Sequence, residues 1–353
     1  MYEHIYKNLL DNINNYNKCV LVTYLQFKDT VSGTIENKLC LNQDTIENRT
    51  HLLDDIIYEK IETALLNGKI ETVNLTEDKM ILIEPFFPKP RLFVFGGGHI
   101  AKPLVEFASK VGFSITVIDD RPYFANFSRF PDAENVICND FKKSFDLIDF
   151  KENDFVVIIT RGHKHDKLVL SNVINNKLSY IGMIGSKRRV KGMMEELIEE
   201  GYSKDILDSV KSPIGLDIGG ITPEEIAISI VAELISFKNK GNNSKKLSYP
   251  EFDKELFLKI SEKPPVPRAI LTILSSKGSV PRKAGAKMIT YLDGRTFGSI
   301  GGGCSEADVL TKARSIMNNH RRFFIQNVDM TGDIAESLGM VCGGTMDVLI
   351  EIF

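Results

Sequence analysis

No apolar run in this 353-residue chain approaches the roughly 18 residues that a membrane-spanning helix needs. The opening stretch, MYEHIYKNLLDNINNYNKC, has no hydrophobic region of the signal-peptide kind, so a cytosolic protein with no membrane partner is expected. Excess basic charge is missing as well. The formal net charge is −3 and the pI about 6.1, and no local cluster of Lys and Arg makes up the difference, which argues against a nucleic-acid partner. Cysteines are few: Cys19, Cys40, Cys138, Cys304 and Cys342 are an odd number without C-x-x-C spacing. That argues against a disulfide framework or a zinc site. A conspicuous cysteine is then a small core residue or a reactive thiol.

What is present is the composition of an ordinary globular protein, 43% apolar and 26% charged, in a chain long enough for two or three domains. Residues 1–88 alternate β-like runs (CVLVTYLQF, ETVNL, KMILIEPFF) with a helical pattern ending at a glycine. From Leu92, LFVFGGGHIAKPLVEFASKVGFSITVIDD reads as buried strand, glycine turn, helix and buried strand. Further strands at NVICN, DFVVIIT and SYIGMIG lead to a long helix whose Pro223 suits a first turn. The predicted class is α/β, a Rossmann-like doubly wound parallel sheet over 89–240 flanked by two smaller α+β domains, 1–88 and 264–353, with 241–263 as linker. The two ends share a plan: CVLVTYLQF resembles RAILTILSS, and DKMILIEPFF resembles MDVLIEIF. The front segment reads as a diverged copy of the rear one that lacks its glycine and cysteine motifs.

Gly96, Gly98 and Ala101 fit G-x-G-x-x-A after a strand and before a helix, with Gly97 adding freedom. Bare backbone and helix N–H groups there suit a pyrophosphate, and Asp119 and Asp120, about twenty residues on, are placed to accept ribose hydroxyls. His99 lies within the turn. In TRGHKHD, Arg161, His163, His165 and Asp166 should reach the carboxyl edge of the sheet. In an extended segment the two histidines point the same way, although two ligands do not make a metal site. Ser186, Lys187, Arg188 and Arg189 in IGSKRR offer another phosphate or carboxylate contact after a strand, with a plain solvated helix start as the alternative.

Three rear motifs belong together: GSVPRKAGAKM, GSIGGGCSE and MVCGGT. They combine flat backbone at Gly301, Gly302, Gly303, Gly343 and Gly344 with cations at Arg282, Lys283 and Lys287 and thiols at Cys304 and Cys342. Such a set suits an anionic, sulfur-binding cofactor better than an apolar metabolite. Buried core thiols are the alternative reading, and the chemistry alone leaves both open.

These motifs resemble the signature of the XdhC/CoxI family, accessory proteins of xanthine dehydrogenase and related molybdenum hydroxylases. FGGGHIAKPL, VIDDRPYFANFSRFP, TRGHKHD, MIGSKRR and SPIGLDIGGITPEEIAISIVAELI are similar to that family's Rossmann domain, so the resemblance covers about 89–353. It implies a chaperone that binds the molybdopterin cofactor, supports its sulfuration and hands it to an apo-hydroxylase. On that footing Cys304 and Cys342 would bind or protect the molybdenum centre, Glu306 would hold a nearby donor or act on a proton, and Arg282 with the glycine backbone would hold the pterin phosphate. A cysteine desulfurase and a second copy of the chain are expected as further partners. The order departs from the family's commonest arrangement, in which the cysteine-bearing domain comes first. The competing expectation is an NAD(P)-dependent oxidoreductase with His99 or His163 as proton donor to a small metabolite.

Overall fold

The computed structural model describes residues 2–240, 249–263, 266–317, 322–330 and 344–353. The front segment forms α1 (Glu3–Asn14), β1 (Cys19–Phe27), β2 (Ser32–Asn42), α2 (Gln43–Glu47), α3 (Asp55–Asn67), β3 (Glu71–Asn74) and β4 (Lys79–Phe86). The middle forms β5 (Arg91–Phe95), α4 (Ala101–Lys110), β6 (Ser114–Asp119), β7 (Asn135–Cys138), α5 (Phe141–Ser144), β8 (Phe155–Ile158), α6 (His163–Val173), β9 (Tyr180–Met183), α7 (Lys187–Glu199), α8 (Lys204–Asp208) and α9 (Pro223–Lys240). The rear forms α10 (Lys254–Ser261), β10 (Arg268–Lys277), β11 (Lys287–Tyr291), β12 (Thr296–Gly298), α11 (Gly303–Ile316), β13 (Phe323–Asp329) and β14 (Thr345–Ile352). Two compact units result, Met1–Pro88 with Ser248–Phe353, and Lys89–Leu247.

In the second unit the strands run parallel in the order β7-β6-β5-β8-β9. The central strands β5 and β8 are buried on both faces, which is why LFVF and FVVI read as unbroken apolar runs rather than alternating ones. Leu92, Val94, Val117 and Val157 face α4 and α9, packing on Leu104, Val105, Ile230 and Leu234. Phe93, Phe95, Val156 and Ile158 face the other way, onto Val169 and Leu170 of α6 and Met193 and Leu197 of α7. Each such side chain contributes about 1.5–3 kcal/mol relative to its exposed state, so the sandwich holds its sheet edge firmly. Strand order reverses between β5 and β8, and the loops leaving their carboxyl ends diverge into a crevice.

The other unit joins the two ends of the chain in one sheet of described strands, β12-β11-β10-β14-β13-β2-β1-β4-β3. The junction is antiparallel, Phe323 opposite Gly33 and Phe324 opposite Ser32. Segments read as separate flanking domains therefore share a sheet, and part of the segment read as linker is α10, which packs on α1 through Leu256, Phe257 and Ile260. Both halves follow one plan: β2-β1-β4-β3 matches β11-β10-β14-β13, each with a helix before its first strand and another before its last two. Side chains correspond too. Thr23 lies opposite Lys38 as Thr272 lies opposite Lys287, and Leu21 opposite Glu84 as Ile270 opposite Glu351.

The buried charges are exchanged between the halves. Lys38 pairs with Glu351 at 2.6 Å, and Lys287 pairs with Glu84. In a flat sheet β11 and β4, with five strands between them, would stand about 29 Å apart. The Lys287–Glu84 contact therefore requires the sheet to coil until its inner face closes on itself. Burial by itself would make Lys38 easier to deprotonate, but Glu351, Tyr6 and Glu84 outweigh it and hold the ammonium charged.

Candidate functional site

At the carboxyl edge of the parallel sheet, the three consecutive glycines do different work. Gly96 has φ +112°, and a Cβ there would lie 2.3 Å from the Ile159 carbonyl oxygen. At Gly97 a Cβ would meet the Phe124 carbonyl oxygen at 2.0 Å. Only Gly98 faces open space, with nothing within 4 Å of a Cβ built there. The first two glycines are thus needed by the chain itself, and the third keeps bare the floor of a cavity of about 320 Å³ that His99, Arg121, Thr160, Arg161 and Ile184 also line.

The turn is braced from the segment after β6. Asp119 is buried and accepts from the N–H of Gly97 at 2.8 Å and from both the main chain and the guanidinium of Arg121. Burial would push its carboxyl up, but these donors outweigh burial and hold it below the ordinary carboxylate range. Both its oxygens are occupied, so the ribose-acceptor role expected of Asp119 is taken by the turn itself. Asp120 is engaged by Arg161 at 2.8 Å. Arg129 donates to the carbonyl oxygens of Gly97 and Gly98 at 2.9 and 3.1 Å. Phe124 carries the Arg121 guanidinium 3.8 Å from its ring centroid, with that of Arg129 at 5.1 Å. Arg121, Phe124 and Arg129 all lie in VIDDRPYFANFSRFP, yet nothing there singles them out, because a clamp that closes across about thirty residues leaves no local spacing.

The histidines of TRGHKHD correct an expectation. They lie in the first turn of α6 rather than on extended chain, so two residues separate them by about 200° around the helix. His163 faces a second cavity, about 630 Å³, with Lys164, Ser186, Arg188 and Arg189. His165 rests on the Phe141 ring, 5.3 Å between centroids, and lies 3.5 Å from Arg161 Nη2. Asp166 is buried under the helix start, accepts from the Thr160 hydroxyl at 2.6 Å and is pushed up by its burial. Ser186 caps α7, accepting from the Arg189 N–H at 3.4 Å. Among the described residues no group of three or more His, Cys, Asp and Glu is placed to hold a metal.

In the other unit the rear glycine motifs meet. Gly298, Gly301, Gly302 and Gly303 all have positive φ, from 68° to 142°, a path that residues with side chains avoid. Glu306 gathers this loop, accepting from the Ser299 hydroxyl at 2.7 Å and from the N–H groups of Ile300 and Gly302 at 3.1 and 2.9 Å. A Cβ on Gly301 would touch the Pro281 ring at 3.2 Å, and one on Gly344 would fall 2.5 Å from the Lys277 carbonyl oxygen and 2.7 Å from Val280. GSVPR, GSIGGG and the residue closing CGG therefore lie against one another. Cys304 is the second residue of α11; Cys342 and Gly343 lie outside the described residues. Arg282 is half-exposed, pairs with Glu251 at 2.6 Å and borders a cavity of about 410 Å³ with Gly285, Gly298 and Ser299. Lys287, expected to face a ligand, instead points its amine inward to Glu84 and to the Thr272 hydroxyl at 2.8 Å. A buried lysine looks the same in sequence as an exposed one.

Residues 92–234 match the XdhC Rossmann domain and residues 263–328 match the XdhC and CoxI family. A protein from Bacillus subtilis named as a probable xanthine dehydrogenase subunit is 34% identical over 160 residues, 45% of this chain and 46% of that protein. An uncharacterized protein, YqeB, from Escherichia coli is 30% identical over 165 residues, 46% of this chain and 30% of that protein. The match thus spans less than half the length of either curated relative. A crystal structure titled as a xanthine dehydrogenase from Bacillus halodurans is similar over 65% of this chain and 92% of that one, at 23% identity and a TM-score of 0.40.

Proposed function

Because the chain belongs to the XdhC and CoxI family, we propose that it is an accessory protein in the maturation of a molybdenum hydroxylase of the xanthine dehydrogenase kind, holding the molybdopterin cofactor at the rear glycine motifs. The observation that carries this reading is the convergence of GSVPR, GSIGGG and Gly344 beside the helix start that bears Cys304. The donor chemistry fits the group. Gly302 leaves open space where a Cβ would stand, as does Gly285, which lines one cavity with the half-exposed Arg282 guanidinium. Such a surface lets an anion approach bare main chain beside a guanidinium fork, while the N–H groups of Ile300, Gly301 and Gly302 are held by Glu306 and Ser299 and keep the loop in shape. The bound cofactor would supply the molybdenum and its dithiolene sulfurs.

The chain's own part is to orient and shield. Glu306 fixes the loop so that Gly301 N–H and its neighbours keep their direction. Cys304 stands in a first helical turn, where negative charge is favoured, and with Cys342 is assigned the binding or sulfuration of the metal centre. The crevice over Gly98 takes a nucleotide-type ligand between His99, Arg121 and Arg161. Oxidoreductase turnover is the weaker reading, since both oxygens of Asp119 are held by the turn and Arg121, which removes the carboxylate best placed for a ribose diol.

The test is anaerobic equilibrium binding of isolated molybdenum cofactor to the protein and to a Cys304→Ala, Cys342→Ala double variant. Binding lost in the folded variant is expected. A folded wild type that binds no cofactor, yet oxidises or reduces a nicotinamide nucleotide with a small metabolite, would overturn the reading.

A further inference from the structure

The larger cavity of the parallel-sheet unit has an unbalanced charge. Lys167 on its wall pairs with Glu196 and Glu200 at 2.7 and 2.8 Å, so the lining's one acidic side chain, Glu196, is already engaged by a cation. Lys164, Arg188 and Arg189 remain, and none has a carboxylate within ion-pair distance among the described residues. Asp166 feels the charge of Arg189 but is buried and bonded to Thr160. Three cations around one hollow repel one another, and an anion between them relieves that repulsion.

Two helix starts frame the same hollow. α6 begins at His163 with no side-chain cap, so its first N–H groups have no side-chain acceptor, and α7 begins beside Ser186. The volume, about 630 Å³, exceeds what a lone phosphate needs and lies in the range of small-molecule sites. Met193 and Gly192 give part of the wall an apolar character. The hollow and the Gly98 crevice are lined by successive residues of the same two loops, Thr160 and Arg161 then His163 and Lys164, and Ile184 then Ser186.

We propose that this cavity binds the phosphate or diphosphate group of a small organic phosphate, with the Arg188 and Arg189 guanidiniums and Lys164 as its charge partners. The proposal does not rest on the cofactor reading and concerns a different unit of the chain. The ligand is either a free phosphate compound or the phosphate end of a nucleotide whose remainder lies over Gly98.

The experiment titrates the full chain with inorganic pyrophosphate and with ADP by calorimetry at low salt. Saturable pyrophosphate binding is expected, weakened about tenfold or more in an Arg188→Ala, Arg189→Ala variant. A variant at exposed Lys142, away from the cavity, should bind as the parent does. Gly98→Leu separates the sources. If it weakens ADP alone, the phosphate belongs to a nucleotide that continues into the crevice; if ADP and pyrophosphate bind alike and neither responds, the ligand is a free phosphate compound. Absence of saturation, or equal affinity in the double-arginine variant, would overturn the proposal. Both arginines are exposed, so their replacement should leave the thermal midpoint unchanged.

Discussion

Asp119 shows how a residue chosen for one task can perform another. Its place after a buried strand suits a ribose acceptor, but its oxygens close on Gly97 and Arg121 and tie the glycine turn to the next loop. Asp119→Asn keeps the size and loses the charge, and should cost about 2 kcal/mol at neutral pH. The folded carboxyl titrates below its unfolded value, so the unfolded chain takes up the proton first as acid is added. The contribution is therefore complete above about pH 4 and is lost as pH falls through the lower folded value. Thermal midpoints of the two proteins should differ near neutrality and converge in acid. A gap that stays constant from about pH 7 to 3 would show that the charge is not what matters.

At the scale of the element, the strand, turn and helix of 92–110 were legible because double-sided burial writes continuous apolar runs and the turn writes glycines. The reason for those glycines was not legible, since the atoms that forbid a side chain at Gly96 and Gly97 belong to Ile159 and Phe124. This predicts an ordered series. Gly96→Ala and Gly97→Ala should each lose about 2–4 kcal/mol in urea melts, whereas Gly98→Ala should stay within about 0.5 kcal/mol. An equal loss at all three would remove close approach as the cause, because Gly98 has no neighbour to clash with and the entropy of the unfolded chain alone would favour alanine. The start of α6 was misread for a related reason. Gly162, extended at φ −177°, is the N-cap, and no apolar periodicity marks a first turn written HKHD.

For the whole molecule, the likeness between the two ends of the chain was readable in strand patterns, but their union was not. β13 meets β2 through two residue pairs, and Lys38 finds Glu351 more than three hundred positions away. No local pattern records such a partner. Lys38→Met should destabilise by about 3–5 kcal/mol because it strands a buried carboxylate, and adding Glu351→Leu should restore much of the loss. Calorimetric melts of the single and double variants test this; a double variant no better than the single would remove the pair from the account of stability.

The joined sheet also has a consequence in time. The ribosome completes β2 some 280 residues before it reaches β13, a wait on the order of tens of seconds at usual elongation rates. Throughout it the nascent front half presents an open strand edge and a lysine whose paired carboxylate, Glu351, is not yet made. The parallel-sheet unit meanwhile emerges with all its strands contiguous in sequence and is free to fold first. The middle of this chain can thus reach its final form before its two ends are able to join.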